Sequence, residues 1–575
     1  MTRGAETKEQ SARRFVVRVM LVMVFFVLAA SSLMARAVHL QVLNKDFLNQ
    51  QADSRHLRTE KISAHRGSIV DRNGEPLAIS TPVDSVWANP KELAAAVDRV
   101  PQLAKALKLD SQLLMRRITQ SMDKEFLYLK RHLSPEQAQQ VMALKLPGVN
   151  VLREYRRYYP SGEVSGHLVG FTSVDDDGQE GLELEFNHWL SGESGAKRVL
   201  KDRLGRAVEN VESIRPPHHG RDLRTSIDLR LQYLAYRALK SAIRQHKAES
   251  GSIVLLDVQT GEVLAMVNQP TYNPNDRAQY SAERYRNRAI TDIFEPGSSI
   301  KPLILAAALE SGRYRPSSTV DTAPGFVVVG PKKIEDKNNL GRVSLTTVLS
   351  RSSNVGVTKV AMSLEPDQLW NTMTQFGLGA LTSSGFPGES AGLLTHYNHW
   401  QEISQATLAY GYGVSVTPLQ LAQAYAALGN DGEMRPVSLI ALDKPNEGER
   451  ILSSDTSAAI RRMMEEVVRP GGTGTKASIP GYRVAGKTGT TWKFAAGGYS
   501  HDKYLSIFAG LAPASDPRLA AVVIIDEPTG DLYYGSDVAA PVFADVISES
   551  LRLMAVPPDA LPARRDDNIM QAMSQ

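Results

Sequence analysis

The stretch from Val19 to Ala35 carries no charged residue and consists of Val, Leu, Met, Phe and Ala with one Ser pair. Wound as a helix at about 1.5 Å per residue, it covers most of a hydrocarbon layer of about 30 Å. Arg3, Lys8, Arg13, Arg14 and Arg18 precede it, which by the positive-inside rule places residues 1–18 in the cytoplasm and everything after the run across the membrane. A cleaved signal peptide is the competing reading, with Ala35-Arg36-Ala37 as its processing site. The arginine inside that site and the length of the apolar run favour retention, so 19–43 is expected to be a transmembrane anchor whose helix continues through Leu40, Val42 and Leu43.

The remaining chain is too long for one ordinary domain, since 575 residues exceed what a single hydrophobic core usually serves. Hydrophobic residues at 42% with 22% charged residues fit a globular protein, and the net charge of +4 is too small to imply nucleic acid or another polyanion as a partner. The absence of cysteine excludes disulfides, thiolate metal sites and a cysteine nucleophile. The twelve histidines show no ligand spacing, so no metal or other cofactor is expected.

From 44 to 220 the chain is charged, irregular and strand-rich, with turns at Asp71-Arg72-Asn73-Gly74 and Asp175-Asp176-Asp177-Gly178 and helical stretches at Pro101–Gln120 and Ser134–Leu144. Pro216-Pro217-His218-His219-Gly220 reads as a hinge. From 221 to 556 an amphipathic helix over Leu229–Lys247 precedes a hairpin over Gly251–Asn268, and two further apolar strands lie at Leu505–Leu511 and Leu519–Ile525. Between these sheet-forming ends helices are expected at Lys301–Glu310, Leu345–Leu364, Thr417–Leu428 and Ser457–Val468. The polar, proline-containing tail 557–575 is expected to be disordered. The fold class is therefore multidomain α+β.

Three short motifs follow one another in the second half: Ser298-Ser299-Ile300-Lys301, Ser352-Ser353-Asn354 and Lys487-Thr488-Gly489-Thr490. Ser-x-x-Lys alone is uninformative, because it recurs at Ser121, Ser194 and Ser500, whereas Ser-x-Asn and Lys-Thr-Gly each occur once. Ser298 follows the Pro296-Gly297 turn, and the residues from Leu303 to Leu309 are apolar all round, which describes a buried central helix. Ser298 and Lys301, three apart, share a helix face, and a lysine in a dry site loses its proton readily enough to act as a base toward a serine. Ser352 is placed to pass a proton to a leaving amine, and the Asn354 amide to bind a peptide carbonyl. Lys487, Thr488 and Thr490 suit a terminal carboxylate on a strand edge that a peptide joins by main-chain bonding, with Gly489 allowing close approach. The Ser298 and Thr490 N–H groups are candidates for an oxyanion hole. Tyr410-Gly411-Tyr412-Gly413 either lines the same cleft or is a turn.

This ordered set resembles the penicillin-binding proteins and serine β-lactamases. Arg66-Gly67-Ser68-Ile69-Val70-Asp71-Arg72-Asn73-Gly74, Tyr158-Tyr159-Pro160 and Glu180-Gly181-Leu182-Glu183 look like the N-terminal signatures of the class B branch. Within that branch, Phe294-Glu295-Pro296-Gly297-Ser298, Tyr410–Thr417 and Ala539-Ala540-Pro541-Val542-Phe543 are most similar to the FtsI-type septal enzymes, as the housekeeping copy or a paralogue. The resemblance implies a membrane anchor, an elongated non-catalytic pedestal over 44–220 and a C-terminal transpeptidase domain over 221–556 with a β-lactamase-like antiparallel sheet and helices. It implies that Ser298 attacks the D-alanyl-D-alanine bond of a cell-wall stem peptide, with Lys301 as base, and that an amine of a neighbouring stem takes the acyl group. β-Lactam antibiotics would acylate Ser298. The implied setting is the bacterial inner membrane with the catalytic domain periplasmic, beside a membrane glycan polymerase and other division proteins. The same three motifs occur in D,D-carboxypeptidases and β-lactamases, which hand the acyl group to water, and in non-catalytic sensors and scaffolds. Met1–Arg18 is too short for a signalling domain.

Overall fold

The computed structural model describes residues 3–45, 57–62, 64–201, 207–495 and 498–560. The expected disordered tail lies outside the described residues from 561 onward. The chain divides into two compact units, each built from separated stretches: 1–64, 83–154 and 193–219 in the first, and 65–82, 155–192 and 220–575 in the second.

The first unit begins with helix α1 (Arg3–Val38). The run Arg13–Val42, which extends just past this helix, is long and apolar enough to cross a membrane, with a mean hydropathy of 2.4 over its 18-residue window. Phe15, Phe25 and Leu33 are among its exposed side chains. Elsewhere in this unit, Leu57–Ile62, Gly195–Lys201 and Ala207–Arg215 form a three-stranded antiparallel sheet. A small core gathers Val86, Leu93, Leu103, Leu107, Leu114, Ile118, Leu129 and Val141. The helix expected over Pro101–Gln120 is two helices, Val100–Leu107 and Ser111–Thr119. Lys108 takes a left-handed conformation at φ 52° and ends the first; the Asp110 side chain accepts from Leu113 N at 2.7 Å and starts the second.

In the second unit the motif residues of the N-terminal half converge on a buried ion cluster. Glu183, fully buried, accepts from Arg66 Nε at 2.7 Å and from Arg157 Nε, and its own carbonyl accepts from Arg66 Nη2 at 2.9 Å. Asp71 accepts from Asn73 N and Glu75 N across its turn and from Leu229 N at 3.0 Å. It thereby caps helix α2 (Leu229–Gln245) together with Asp228, whose side chain accepts from Arg230 N.

The centre of this unit is a five-stranded antiparallel sheet. The hairpin of β1 (Ser250–Asp257) and β2 (Val263–Gln269) is closed by Asp257 accepting from Gln259 N and Thr260 N. After the helical middle come β3 (Ala485–Ala495), β4 (Gly498–Ala512) and β5 (Leu519–Asp526). The strand order β2-β1-β5-β4-β3 leaves β3 on an edge. The sheet is apolar on both faces, so its strands alternate between two cores. Ile253, Leu255, Ala521 and Val523 pack on α2 and the C-terminal helix α8 (Gly535–Leu553). Val254, Leu256, Ala520 and Val522 face the central helices.

Those central helices are α3 (Lys301–Glu310), α4 (Leu345–Ser350), α5 (Asn354–Met362), α6 (Pro418–Gly429) and α7 (Ser454–Val468). Every residue of α3 from Lys301 to Ala308 is buried, as its uniform apolarity requires. Thr417 caps α6 in a reciprocal box with Gln420. Ser453 caps α7 three residues earlier than its apolar pattern suggests.

Glu183→Ala would leave two buried guanidinium groups without their carboxylate. It should cost about 3–5 kcal/mol, by analogy with other broken buried ion pairs. Urea denaturation of the detergent-solubilised chain checks this; a loss below about 1 kcal/mol would show that the cluster does not hold this part of the fold together.

Candidate active site

Ser298 sits in a tight 3-10 turn, Gly297–Ile300, that runs directly into α3. Gly297 adopts φ 52°, and its N–H donates to the Gly411 carbonyl at 3.1 Å. A Cβ on Gly411 would lie 2.2 Å from the Gly297 carbonyl oxygen, and one on Gly489 would lie 3.0 Å from the Pro296 carbonyl oxygen. Both glycines are therefore needed where other segments press on the backbone just before Ser298. The approach that Gly489 permits is made by the protein's own chain.

Ser298 lines a cleft of about 700 Å³ together with Ser352, Asn354, Thr488, Thr490 and Asp336. Lys301 lies beneath it, fully buried. The Lys301 amine donates to Ser352 O at 2.7 Å, Ser352 Oγ at 3.2 Å and Asn354 Oδ1 at 2.7 Å. Burial lowers its pKa to about 7, while the nearby Asp336 carboxylate pulls in the opposite direction. A large fraction of the amine is neutral near pH 7, which is the state a base needs.

Lys487 is also fully buried and does not line the cleft. Its amine donates to Thr488 O at 3.0 Å and Thr488 Oγ1 at 3.3 Å. Burial first, and the positive charge of Lys301 second, hold its pKa well below the usual lysine range. Of this motif, Thr488 and Thr490 line the cleft, while the Lys487 amine is held behind them by Thr488. Thr488 Oγ1 donates to Thr473 Oγ1 at 3.3 Å, and Thr490 Oγ1 accepts from Gly535 N at 3.0 Å, which ties β3 to the start of α8.

The two adjacent serines have separate roles. Ser352 occupies the left-handed region at φ 57°, uncommon for a residue with a Cβ, and this aims both its carbonyl and its hydroxyl at Lys301. Ser353 turns away and caps α5, accepting from Gly356 N at 2.8 Å. Asp336 holds the arrangement together, accepting from Ser353 Oγ, Asn354 N and Val355 N. Nothing in the residues around it marks Asp336 as part of a site; it acts through long-range hydrogen bonds. The break between α4 and α5 falls inside the stretch expected to be helical from Leu345 to Leu364.

Tyr410 and Gly411 are not among the residues that line this cleft. Gly411 buttresses the turn below Ser298, and Tyr410 is buried beside Tyr412. Tyr412 accepts from Trp492 N at 3.4 Å and meets Tyr499 edge-on at 5.3 Å. Among the described residues no cluster of His, Cys, Asp and Glu is arranged to hold a metal ion.

The family described as penicillin binding protein transpeptidase domain matches residues 251–548, and the penicillin-binding protein dimerisation domain matches residues 61–225. The chain is 46% identical over 539 residues to the peptidoglycan D,D-transpeptidase FtsI of Escherichia coli strain K12, covering 93% of this chain and 91% of that protein. It is 43% identical over 551 residues to a "probable peptidoglycan D,D-transpeptidase PbpC" of Pseudomonas aeruginosa, covering 96% and 98%. Among solved structures, the TP domain of penicillin-binding protein 3 from Burkholderia pseudomallei matches with a TM-score of 0.55 at 41% identity, covering 59% of this chain and 98% of that one.

Asp336→Asn keeps the shape of the cap but removes its charge. Weaker charge-assisted bonds to the start of α5 should slow acylation by a fluorescent penicillin about tenfold. Because Asp336 raises the Lys301 pKa, its neutralisation should also move the alkaline-rising limb of the acylation profile to below pH 7. A slower variant whose limb stays in place would show that Asp336 only stiffens the loop.

Proposed function

This chain belongs to the class B penicillin-binding proteins, and on that premise we propose that it is a septal peptidoglycan D,D-transpeptidase working through a Ser298 acyl-enzyme. The observation that carries the reading is the meeting of three elements in one cleft: the Ser298 turn, the Lys301 amine bonded to Ser352 and Asn354, and the unpaired edge of β3.

The chemistry follows from these positions. A stem peptide adds along β3 with its terminal carboxylate accepting from the hydroxyls of Thr488 and Thr490. Neutral Lys301 takes the Ser298 hydroxyl proton as Oγ attacks the penultimate D-alanine carbonyl carbon. The N–H groups of Ser298 and Thr490 stabilise the oxyanion. The C–N bond then breaks, and the departing D-alanine amine receives a proton from Lys301 by way of the Ser352 hydroxyl, 3.2 Å from the lysine. In the second half an incoming amine attacks the ester carbon, its N–H proton returns to Ser298 Oγ through the same groups, and a new peptide bond joins two stems. The strained β-lactam amide enters the same path and stops at the acyl-enzyme.

The apolar helix α1 anchors the chain in the bacterial cytoplasmic membrane, with Arg13, Arg14 and Arg18 on the cytoplasmic side and the site in the periplasm. The cross-linking centre is supplied with nascent glycan by a membrane polymerase and serves division. Transfer to water instead of an amine would make the protein a D,D-carboxypeptidase or β-lactamase.

Detergent-solubilised full-length protein should label covalently with fluorescent penicillin, and Ser298→Ala should abolish the label. Lys301→Ala should lose at least about 10²-fold in labelling rate while remaining folded, whereas Lys124→Ala, in one of the chance Ser-x-x-Lys copies, should label normally. With a D-alanyl-D-alanine-ending substrate and an added D-amino acid, an exchanged product is expected; hydrolysed product alone would overturn the cross-linking role.

A further inference from the structure

The edge of β3 receives the peptide in the mechanism above, yet part of that edge is already occupied. Thr490 pairs with Ser506 and Trp492 with Tyr504, and the register slips between Trp492 and Phe494. Regular pairing along this edge therefore ends at Trp492. The Trp492 N–H points away from β4, because it donates to the Tyr412 hydroxyl at 3.4 Å. Outward-facing backbone groups recur at every second residue of a strand, so Thr490 presents its N–H and carbonyl on the same side. Beyond Thr488, then, an added strand has two residues to pair with, Thr490 and Trp492. The N–H of the second is held by the protein's own tyrosine.

Tyr412 is fixed in that place from three sides. Its ring meets Tyr499 edge-on at 5.3 Å and lies 5.6 Å from the ring of Tyr410. On one side of it in the chain, Gly411 accepts from Gly297 N; on the other, Gly413 N donates to Glu295 Oε1 at 2.8 Å. Burial, the largest cause, raises the Tyr412 pKa, so the group on Trp492 N–H is a neutral hydroxyl. A separation of 3.4 Å is long for such a bond, whereas a backbone carbonyl in a paired strand sits at about 2.9 Å. The contact is thus good enough to blunt an exposed strand edge and weak enough to be exchanged for a better acceptor.

The register says which ligand would exchange it. A donor that runs antiparallel to β3, with its acylated residue opposite Thr490, places the residue two positions earlier opposite Trp492. The carbonyl of that earlier residue needs the N–H that Tyr412 holds, and one N–H makes one good bond. We propose that Tyr412 is a specificity-determining residue for the donor main chain, a displaceable cap that gives up the Trp492 N–H only to a ligand long enough to offer a carbonyl there. A shorter ligand acylates Ser298 with the cap in place. A longer one gains a strand bond and loses part of that gain in moving the hydroxyl. The inference rests on the transpeptidase reading and adds where pairing of the donor to β3 is contested.

Two penicillins of different reach test this on the full-length protein in detergent. Benzylpenicillin ends in a phenylacetyl group one position before the acylated centre. N-acetylampicillin carries a further acetyl carbonyl, at the position opposite Trp492. The ratio of their second-order acylation rate constants is compared between the wild type and Tyr412→Phe, so a general change at Ser298 cancels. Tyr412→Phe keeps the ring contacts and frees the N–H, and the ratio should move about threefold toward N-acetylampicillin, the size of one weak neutral hydrogen bond. Hydrogen exchange at the Trp492 amide, slowed in the ligand-free wild type, should quicken in the variant. An unchanged ratio would show that the hydroxyl only packs its loop, and a ratio that falls would show that it binds the longer ligand itself; either overturns the cap. Exchange at Trp492 that is equally fast in both proteins overturns it as well. If neither penicillin acylates the wild type, the Ser298 mechanism fails and takes this inference with it.

Discussion

Two primary amines, those of Lys301 and Lys487, are taken fully out of water in one small volume, and much of the catalytic unit is arranged around that fact. A buried ammonium is heavily penalised, so the cheaper state is to shed a proton. For Lys301 that brings the pKa to about 7; for Lys487, burial first and the charge of its neighbour second hold the pKa well below the usual lysine range. The hydrogen bonds that remain are to neutral oxygens of Ser352, Asn354 and Thr488. Asp336, the nearby carboxylate, is occupied by the start of α5 and biases Lys301 without touching it. An amine with a pKa near neutrality is thus a consequence of packing an apolar helix, α3, whose first residue is a lysine.

The same economy governs the backbone. Ser298 is held on a short turn between a sheet edge and a loop, and each neighbour approaches the backbone before it through a glycine. The left-handed Ser352 spends conformational energy to deliver two acceptors to one amine. At a distance, the Glu183 cluster ties residues 65–82 to 155–192, and the Asp71 cap ties 65–82 to α2 in the stretch that carries the site. That unit is discontinuous in sequence, and the ties are made by the motif residues Arg66, Asp71 and Glu183.

Much of the catalytic unit was legible beforehand, because its signals are local. The β1–β2 hairpin announces itself by a turn between apolar runs, α3 by uniform apolarity, α6 by Thr417 and Pro418. The three motifs came together because each is a contiguous run of chemically suited residues. What stayed hidden depends on tertiary contact. Asp336 looks like an ordinary loop acid until α5 folds against it. The contact of Gly411 with Gly297 joins residues more than a hundred positions apart, which no local pattern shows. Lys487 is strand-edge in sequence, yet its side chain turns inward. The 101–120 helix was overextended because Lys108-Leu109-Asp110 carries no Gly or Pro to mark the break, and the left-handed Lys108 is invisible to periodicity.

The pair Gly411 and Gly489 has a bearing on how such a chain adapts under antibiotic pressure. A methyl group at Gly411 would strike the backbone before Ser298, and one at Gly489 would crowd it, so substitutions there would shift Ser298 whatever ligand it meets. The same is true of any change that hydrates the two amines. Variation that distinguishes a β-lactam from a stem peptide is left to parts of the site that carry no such load: the side chains at the cleft rim around Lys337 and Tyr534, and the exposed Trp492 and Phe494 at the far end of β3. The structure thereby separates a centre with little room for an added methyl group from a border open to side-chain change.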